Sequence, residues 1–399
     1  MAEAKAVTQD TYDAVVVGGG PSGATAADDL ARAGHKVLLL DRAGRIKPCG
    51  GAIPPILLSE FDIPESLLVA RVNKARMISP ADNKVGMPID NGFVGMVDRE
   101  HFDEWLRVRA ADHGAERRSG RFRSLLRDDD GTAIVVYTDA DGEQRLRTRS
   151  VIGADGARSA VAREAIPGSE NMPYVAAYHE IVSSPTDPDA DFDPARCDVY
   201  YRGSLSPDFY AWVFPHGDTT SVGVGSAEKG FSLRRAVDDL REVAGLEGST
   251  TIRREGAPIP LKPLKRWDNG RDLVLAGDAA GIVAPASGEG IYYAMLGGRL
   301  AAEAVGEYLL TGNPKALKLA RKRFMRSHGR VFFILGIMQK FWYSSDKRRE
   351  RFVKICADED VQYLTWQAYM YKKLVRAKPI AHVRIFFKDL GHLLGLVRA

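Results

Sequence analysis

Two short, unbroken apolar runs lie near the start of the chain, separated by a segment of helical character. Ala14–Val17 and Lys36–Leu40 predict buried strands of a parallel sheet, because strands covered on both faces are apolar along their whole length. The segment from about Ser22 to Ala33 predicts a helix, which Gly34 ends. The order strand, helix, strand indicates a βαβ unit and an α/β fold class.

The middle of the chain carries alternating apolar and polar positions, which predict antiparallel strands. Residues 98–114 predict a helix, residues 121–149 a meander, and residues 174–263 an antiparallel sheet that forms the floor of a substrate chamber. Further short alternating runs predict strands of a second sheet: Arg76–Ile78, Lys84–Met87 and Gly92–Val97.

An apolar run returns at Leu273–Ala276 and predicts another buried strand, followed by a glycine-rich loop and a long helix that begins near residues 288–291. The last 85 residues are predicted to be mostly helical, and from Lys315 onward they contain 20 Lys and Arg against 6 Asp and Glu. Within them, Arg384–Val397 predicts an amphipathic helix. Packing on the catalytic body and contact with an anionic membrane surface both remain open for it.

Composition indicates a globular protein. The chain has 399 residues, of which 45% are hydrophobic and 27% charged, and this length predicts two domains with an appendage. Cys49, Cys197 and Cys356 are too few for a disulfide framework and lack metal-ligand spacing, so a reducing compartment and no metal are expected. Residues 1–11 lack a signal-peptide core, and no apolar run approaches the roughly 20 residues that a membrane span needs.

The loop after the first strand carries glycines at the GxGxxG spacing. Gly18 permits a tight turn, Gly20 lets the backbone approach a pyrophosphate, and Gly23 lets the helix pack closely on the strand. The helix N-terminus offers free N–H groups to phosphates. Asp41 ends the second strand, where it can accept hydrogen bonds from a ribose. This context predicts dinucleotide binding, and the alternative is a glycine-rich turn in an unrelated α/β unit.

Two later strand ends carry acidic turns, Asp155–Gly156 and Gly277–Asp278. Asp278 suits the hydroxyls of a ribityl chain, and the following helix N-terminus can stabilise negative charge on a reduced isoalloxazine. Together with the GxGxxG unit, these turns resemble the flavoproteins that bind FAD as p-hydroxybenzoate hydroxylase does. The resemblance implies FAD as cofactor, a Rossmann-type FAD-binding domain, an antiparallel-sheet substrate domain and a C-terminal helical segment.

The resemblance also implies boundaries and binding residues. It divides the chain into a discontinuous FAD-binding domain at 1–75, 96–172 and 266–314, a substrate domain at 76–95 and 173–265, and a basic helical region at 315–399. Arg99 matches the family arginine that reaches the FAD diphosphate region. The residues assigned to FAD are Gly18, Gly20, Pro21, Ser22, Gly23, Asp41, Arg42, Cys49, Gly50, Gly51, Arg99, Asp155, Gly156, Gly277, Asp278, Gly288, Gly290 and Ile291.

Two stretches narrow the resemblance to the geranylgeranyl reductases, and within them to those of chlorophyll and bacteriochlorophyll synthesis. They are Pro48–Pro54 (PCGGAIP) and Tyr210–Gly225 (YAWVFPHGDTTSVGVG), and the likeness extends over essentially the whole chain. It implies reduction of three of the four C=C bonds of a geranylgeranyl chain to phytyl. The substrate is a geranylgeranylated (bacterio)chlorophyll(ide) or geranylgeranyl diphosphate, and NADPH is the transient reductant. A ferredoxin donor stays open, because no second GxGxxG is present.

An isolated alkene must receive a hydride on one carbon and a proton on the other. Cys49 is the predicted catalytic residue, as proton donor or as a group that positions the prenyl chain, and plain packing of its thiol is the alternative. His216 is expected to be an ordinary loop histidine, and Phe214 alone is better explained by core packing. The residues assigned to the prenyl chamber are Tyr210, Trp212, Phe214, Pro215, Gly223 and Gly225.

Other functions share part of this pattern. An FAD-dependent monooxygenase of an aromatic or isoprenoid substrate is the main alternative, a flavin halogenase is half matched by AWVFP, and a pigment carrier without turnover is a third. Nucleic acid is not an expected partner, because the basic residues of the tail are interleaved with large apolar ones. We expect a cytoplasmic protein at the photosynthetic membrane surface, with a pigment synthase as a candidate partner.

Overall fold

The computed structural model describes residues 11–372 except 43, 45, 91 and 188–190, so the amphipathic helix predicted at Arg384–Val397 lies outside the described residues. The strands are β1 (Thr11–Val17), β2 (Val37–Asp41), β3 (Ala52–Ile53), β4 (Leu68–Val72), β5 (Lys74–Ile78), β6 (Lys84–Pro88), β7 (Val94–Val97), β8 (Glu116–Ser119), β9 (Arg121–Arg127), β10 (Ala133–Asp139), β11 (Gly142–Gly153), β12 (Tyr174–Ser183), β13 (Arg196–Tyr200), β14 (Ala211–His216), β15 (Thr219–Ser226), β16 (Thr251–Pro260) and β17 (Leu273–Leu275). The helices are α1 (Pro21–Arg32), α2 (Pro55–Glu60), α3 (Arg99–Asp112), α4 (Ala160–Ala165), α5 (Leu233–Val243), α6 (Ile291–Thr311), α7 (Lys318–Trp342), α8 (Asp346–Ile355) and α9 (Glu359–Tyr371).

The described chain forms two compact units, each built from three separate segments. The first unit comprises 11–47, 99–174 and 258–336, and the second comprises 48–98, 175–257 and 337–372. The sequence-based division differs here, since it placed 48–75 in the FAD-binding domain and 315–399 in a region of its own. Residues 48–75 group with the second unit because β3 and β4 both pair with β7. Helices α8 and α9 join it through contacts with β6 and α2.

The first unit is organised around a sheet of order β8-β2-β1-β11-β10-β9, with β17 also paired to β11. Strand β1 lies parallel to both β2 and β11, so that Val15 has Leu38 on one side and Val151 on the other. All three side chains are fully buried, which explains why these strands are apolar along their length. The predicted βαβ unit and the α/β fold class are therefore confirmed, as is the predicted meander of β9, β10 and β11.

The second unit contains a sheet of order β16-β12-β15-β14-β13-β5-β6, which is antiparallel at most pairings and parallel between β13 and β5. Helix α5 packs on one face of it, around a buried apolar cluster that includes Val182, Val213, Val222, Val224, Val237 and Leu240. Because side chains alternate along a strand, the neighbouring residues Trp212 and Phe214 lie on the opposite face.

A smaller sheet of order β3-β7-β4 completes the second unit and corrects two expectations. The prolines and glycines of residues 42–55 predict an irregular loop, yet Val97 N–H donates to the Gly51 carbonyl at 2.9 Å and β3 follows directly. Helix α2 begins at Pro55, where a missing N–H removes no helical hydrogen bond. Strand β7, expected beside β5 and β6, pairs instead with β3 and β4.

Helices α7, α8 and α9 account for the predicted helical character of the C-terminal region up to residue 371. Exposed apolar side chains on α7 include Phe333 and Ile337. Within the residues that the structure describes, no helix combines the length and the apolarity needed to cross a bilayer.

Candidate functional site

The loop between β1 and α1 is shaped by its glycines. Gly18 has a φ of +107°, and a β-carbon on it would overlap the carbonyl oxygen of Ala154. A β-carbon on Gly23 would overlap the Gly18 carbonyl oxygen, whereas one on Gly20 would meet no protein atom within 4 Å. The protein therefore needs Gly18 and Gly23 for its own packing, and it leaves open space in front of Gly20. This is the room that a pyrophosphate requires.

The N-terminus of α1 is free to bind an anion. Gly20 occupies the N-cap position without a side-chain cap, Pro21 opens the helix, and the first turn contains no acidic residue. The buried hydroxyl of Ser22 has no hydrogen-bond partner among the described residues. The helix therefore offers unpaired N–H groups, a partial positive charge and one hydroxyl to a phosphate.

A cavity of about 500 Å³ lies at the end of β2, next to this loop, and Asp41, Arg42, Arg99 and Arg107 are among the residues that line it. The Arg107 guanidinium donates to the Gly19 carbonyl at 3.1 Å and lies 3.5 Å from the Asp41 carboxylate. Arg107 thus contacts both the loop and the Asp41 carboxylate and holds them next to each other. Five arginines and three acidic residues line this pocket, and this excess of guanidinium groups beside Asp41 fits the diphosphate and ribose of a dinucleotide.

Arg99 is held by a second buried residue. It is the first residue of α3 and is 5% exposed, and its guanidinium forms two hydrogen bonds of 2.8 and 2.7 Å with the carboxylate of Asp103. This bidentate pair fixes the plane of the guanidinium. Sequence reasoning missed Asp103, although its i+4 spacing from Arg99 on a helix was a usable signal.

Asp278 lies in the short turn after β17 and is 8% exposed. Lys47 forms an ion pair with its carboxylate. A β-carbon on Gly277 would lie 2.7 Å from that of Ser22, so this turn packs directly on the first turn of α1. No sequence signal indicated Lys47, because the two residues of the pair are 231 positions apart.

Helix α6 begins beside this turn. Its first residue is Ile291, and Gly290 takes the N-cap position without a side-chain cap or an acidic first turn. A β-carbon on Gly290 would lie 3.8 Å from Asp278 Oδ1, and Gly288 N–H closes the preceding loop by donating to Ala284. The first unit therefore presents a buried acid and a second open helix N-terminus together, and both fit the sugar-like chain and the electron-rich edge of a flavin.

Asp155 shows a different arrangement. Its carboxylate accepts hydrogen bonds from the Ser159 hydroxyl at 2.5 Å, from Ala160 N–H at 2.6 Å and from Val161 N–H at 3.2 Å. Burial raises the pKa of this carboxyl, and the three hydrogen bonds oppose that shift. Asp155 thus caps α4 and fixes the chain reversal after β11, while a β-carbon on Gly156 would meet open space.

Cys49, Gly50 and Gly51 belong to the second unit, whereas the other residues assigned to FAD belong to the first. A β-carbon on Gly50 would lie 3.2 Å from the Phe214 ring and 3.9 Å from Trp212 Nε1. Gly51 N–H donates to Cys49 Sγ at 3.4 Å. The PCGG loop therefore lies directly on the aromatic face of β14.

The residues assigned to the prenyl chamber form a connected aromatic row. Ring centroids are 6.0 Å apart between Tyr210 and Trp212 and 6.2 Å apart between Trp212 and Phe214. Gly223, paired with Trp212 across the strands, leaves the space that the indole fills, since a β-carbon there would overlap the ring. Gly225 does the same beneath the Phe209 ring, which is 2.8 Å from its virtual β-carbon. Pro215, the next residue of β14, is also buried.

Phe214 differs from the other two rings because it packs against the apolar cluster of the small sheet, which includes Val94, Met96 and Cys197. It therefore has a core contact, whereas Trp212 bonds to polar groups of the sheet. His216 lies at the end of β14, where its Nδ1 is 2.9 Å from the Phe214 carbonyl oxygen and burial lowers its pKa.

The thiols of the second unit are not equivalent. Burial raises the pKa of Cys197, and it raises the pKa of Cys356 to about 12. Cys49, in contrast, is half-buried at the surface of the aromatic face. It is therefore the accessible thiol of the three cysteines in the chain.

Comparison with known proteins now gives this geometry a family. The model of the FAD binding domain matches residues 74–320, and that of an NAD(P)-binding Rossmann-like domain matches residues 16–54. The chain is 58% identical over 387 residues to the geranylgeranyl diphosphate reductase of Rhodobacter capsulatus, which covers 97% of this chain and 98% of that protein. The chain belongs to the geranylgeranyl reductase family. It is thereby a flavoprotein with an FAD binding domain, as the motifs predicted.

Other members of the geranylgeranyl reductase family extend the match. The geranylgeranyl diphosphate reductase of Synechocystis sp. is 38% identical over 401 residues, covering 95% of this chain and 97% of that protein. A solved structure, a geranylgeranyl bacteriochlorophyll reductase-like protein from Thermoplasma acidophilum, has a TM-score of 0.81 at 24% identity over 94% of this chain and 100% of that one. The predicted flavoprotein fold is therefore confirmed, and neither relative supports the monooxygenase alternative.

Proposed function

We propose that this chain is an FAD-dependent reductase that saturates three C=C bonds of a geranylgeranyl chain to phytyl in (bacterio)chlorophyll synthesis. The substrate is geranylgeranyl-(bacterio)chlorophyll(ide), geranylgeranyl diphosphate, or both. The observation that carries this proposal is the 58% identity, over nearly the full length of both chains, with a geranylgeranyl diphosphate reductase. The reductase family to which this chain belongs consists of oxidoreductases that act on CH–CH groups.

The first unit supplies the groups that hold FAD in this proposal. The open space at Gly20, the free N-terminus of α1 and the Arg99 guanidinium bind the diphosphate, and Asp41 binds the adenosine ribose. Asp278, which is paired with Lys47, accepts hydrogen bonds from the ribityl hydroxyls. When bound and reduced by the electron donor, FAD would supply the two electrons of each alkene reduction as a hydride.

The second unit supplies the prenyl surface. Tyr210 and Trp212 offer broad apolar area with few rotatable bonds, which suits a flexible hydrocarbon chain. Cys49, held at the same face by the Gly51 N–H, gives up its proton to the alkene carbon that does not receive the hydride. The Cys49 thiolate that remains is then reprotonated from solvent.

NADPH is our proposed source of electrons. The Rossmann-like match at 16–54 coincides with the GxGxxG unit already used for FAD, so NADPH must visit without a nucleotide domain of its own. A ferredoxin-type protein is the second candidate donor, because such a protein needs no nucleotide site at all.

An anaerobic experiment tests the proposal. FAD-loaded protein is mixed with NADPH and either geranylgeranyl diphosphate or geranylgeranyl-bacteriochlorophyll, and flavin absorbance is followed together with product mass. We expect reoxidation of the flavin with stepwise gains of two, four and six hydrogens. Flavin reduction without any gain of mass on either substrate would overturn it, as would substrate-dependent oxygen uptake in air. If NADPH did not reduce the flavin but reduced ferredoxin restored turnover, only the proposed electron donor would change, from NADPH to ferredoxin.

We further propose that the enzyme works on the cytoplasmic surface of the photosynthetic membrane, next to a pigment synthase. The basic, apolar sequence of Arg384–Val397 supports this placement. Removal of residues 384–399 should lower binding to anionic liposomes in a flotation assay and leave the soluble diphosphate reaction intact. Unchanged binding would contradict it.

A further inference from the structure

A hydrogen-bonded chain of side chains runs across the second unit's sheet and ends at Trp212. Trp212 Nε1 is 3.1 Å from Ser221 Oγ, which is 2.9 Å from His179 Nδ1, and His179 Nε2 is 3.1 Å from Glu255 Oε2. The chain links strands β14, β15, β12 and β16 in their order in the sheet. Its far end, Glu255, is also paired with Arg253.

The chemistry of the groups fixes the direction of the hydrogen bonds at both ends of the chain. An indole N–H only donates, so Trp212 donates to the Ser221 oxygen. A carboxylate only accepts, so His179 Nε2 carries a proton and donates it to Glu255. The Ser221 hydroxyl and His179 Nδ1 form the central hydrogen bond. Ser221 therefore links the indole to the imidazole in the middle of the chain.

The chain lies where rearrangement is difficult. Ser221 is 0%, His179 3% and Trp212 5% exposed. Gly223 pairs with Trp212 on one side and with His179 on the other, and a β-carbon on it would crowd both side chains. The indole and the imidazole therefore meet over this glycine, with ring centroids 6.3 Å apart.

We propose that Ser221, His179 and Glu255 are positioning residues, which fix the plane of the Trp212 indole and so set the floor of the prenyl chamber. This positioning role rests on the proposed function in one respect only, namely that the group in contact with the indole is a prenyl chain. Loss of the Ser221 hydroxyl leaves the indole N–H without its acceptor and removes the hydrogen bond that selects one orientation of the ring. The chamber then binds the prenyl chain less tightly, while the bond-making groups are untouched.

The first test is structural and needs no turnover. Indole N–H signals of 15N-labelled, FAD-loaded protein are recorded by TROSY NMR, and Trp212→Phe identifies the Trp212 signal among the five tryptophans of the chain. We expect Ser221→Ala to move the Trp212 proton signal upfield, because a hydrogen-bonded proton is deshielded. Thr220→Val is the matched control, since Thr220 is also fully buried on β15 and bonds to Ser184 instead. An unmoved Trp212 signal in Ser221→Ala would overturn the proposal.

The second test uses kinetics with geranylgeranyl diphosphate. Ser221→Ala should raise KM about tenfold, which corresponds to about 1.4 kcal/mol of binding free energy, and should change kcat by less than twofold. Thr220→Val should change neither constant. In a Trp212→Phe background, Ser221→Ala should have no further effect, because the residue it acts through is gone. Additive effects would overturn the proposal. If wild type reduces no alkene, the proposed function fails, and the NMR result still decides the positioning role.

A milder variant covers the case in which Ser221→Ala does not fold. Glu255→Ala cuts the chain at its half-buried end and leaves the buried hydroxyl in place. We expect the same Trp212 signal to shift in the same direction by a smaller amount, while Glu255→Gln, whose amide oxygen can still accept from His179, restores the wild-type position. An identical Trp212 indole chemical shift in wild type and Glu255→Ala would contradict the positioning role of the hydrogen-bonded chain.

Discussion

Glycines serve different purposes at two places in this molecule. In the β1–α1 loop of the first unit they lie against backbone: β-carbons on Gly18 and Gly23 would overlap the carbonyl oxygens of Ala154 and Gly18. At β14 in the second unit they lie against side chains, as Gly50 does against Phe214 and Gly223 against Trp212. The loop glycines thus bring main chain to main chain, whereas Gly50 and Gly223 make room for rings.

This difference explains which glycine roles can be inferred from the sequence alone. Backbone packing has the same geometry in any chain, so the GxGxxG spacing can be interpreted without knowing the neighbours. A glycine that makes room for a ring has meaning only once its partner is known, and Gly223 is eleven residues from Trp212 along the chain. The GxGxxG loop of the first unit can therefore be interpreted from physical rules, whereas the assignments in the second unit depended on family resemblance.

The strongest test of the comparison is a pair of glycine variants in the first unit. Gly23→Ala should abolish FAD binding and destabilise the unit, because its β-carbon overlaps backbone that cannot move away. Gly20→Ala should leave the thermal unfolding midpoint of the apoprotein unchanged, since its β-carbon meets no protein atom, yet weaken FAD binding at least tenfold, or about 1.4 kcal/mol. Flavin fluorescence titration measures the FAD affinity of both variants, and thermal denaturation of the apoproteins measures their unfolding midpoints. Tight FAD binding by Gly20→Ala would show that the pyrophosphate lies elsewhere.

Cys49→Ala addresses the second unit. It should bind FAD as wild type does and lose about a hundredfold or more in kcat, the range expected for a general acid. In native wild type, Ellman's reagent at pH 8 should titrate one thiol rapidly, because burial raises the pKa of both Cys197 and Cys356. Cys49→Ala should show no rapid thiol. Turnover near that of wild type would leave Cys49 as a packing residue.

Gly223→Ala sharpens the claim that Gly223 makes room for the Trp212 ring. Its β-carbon should displace the Trp212 indole and raise the KM for geranylgeranyl diphosphate about tenfold, within the 1–3 kcal/mol typical of overpacking. FAD affinity should not change. Gly86→Ala, on β6 of the same sheet, is the control, because a β-carbon there meets open space. Equal KM values for the two variants would contradict the assignment.

The smallest expected effect concerns pH. Burial lowers the pKa of His216 below its ordinary value of about 6.5, so the unfolded chain binds this proton more readily than the folded one. The His216 contribution to stability is therefore present above pH 6.5 and lost as pH falls below it. His216→Gln should flatten the dependence of the unfolding midpoint on pH between 7.5 and 5.5, measured by urea titration. An unchanged slope would exclude His216 as its source.

Hydrophobic periodicity and the GxGxxG motif were sufficient to predict much of the fold. The strand, helix and strand around Gly18 lie where the apolar runs predicted them, with ends shifted by at most three residues. The helix α3 begins at Arg99 as expected. The pairing of β7 was wrong, because its alternating pattern fits either sheet and only tertiary contacts select the small one.

The candidate site was less accessible to sequence reasoning. Asp41, Arg99 and Asp278 could be named, but not the partners that hold them, since Lys47 and Arg107 are distant in the chain from the groups they bind. The chain from Trp212 to Glu255 depends on strand register, which no local pattern encodes. Asp155 was assigned to the cofactor from its turn, and its carboxylate caps a helix, a role that the Ser159 spacing alone did not distinguish.

The interrupted build of the first unit has a consequence for the chain's biosynthesis. Strand β1 needs β11 beside it, β17 follows more than a hundred residues later, and α6 ends at Thr311. At ribosomal rates of about 5–20 residues per second, the cofactor cradle stays incomplete for on the order of tens of seconds. Flavin loading is therefore a late event at the ribosome, and a transcript truncated before codon 291 would yield a nascent chain that no supply of riboflavin could rescue.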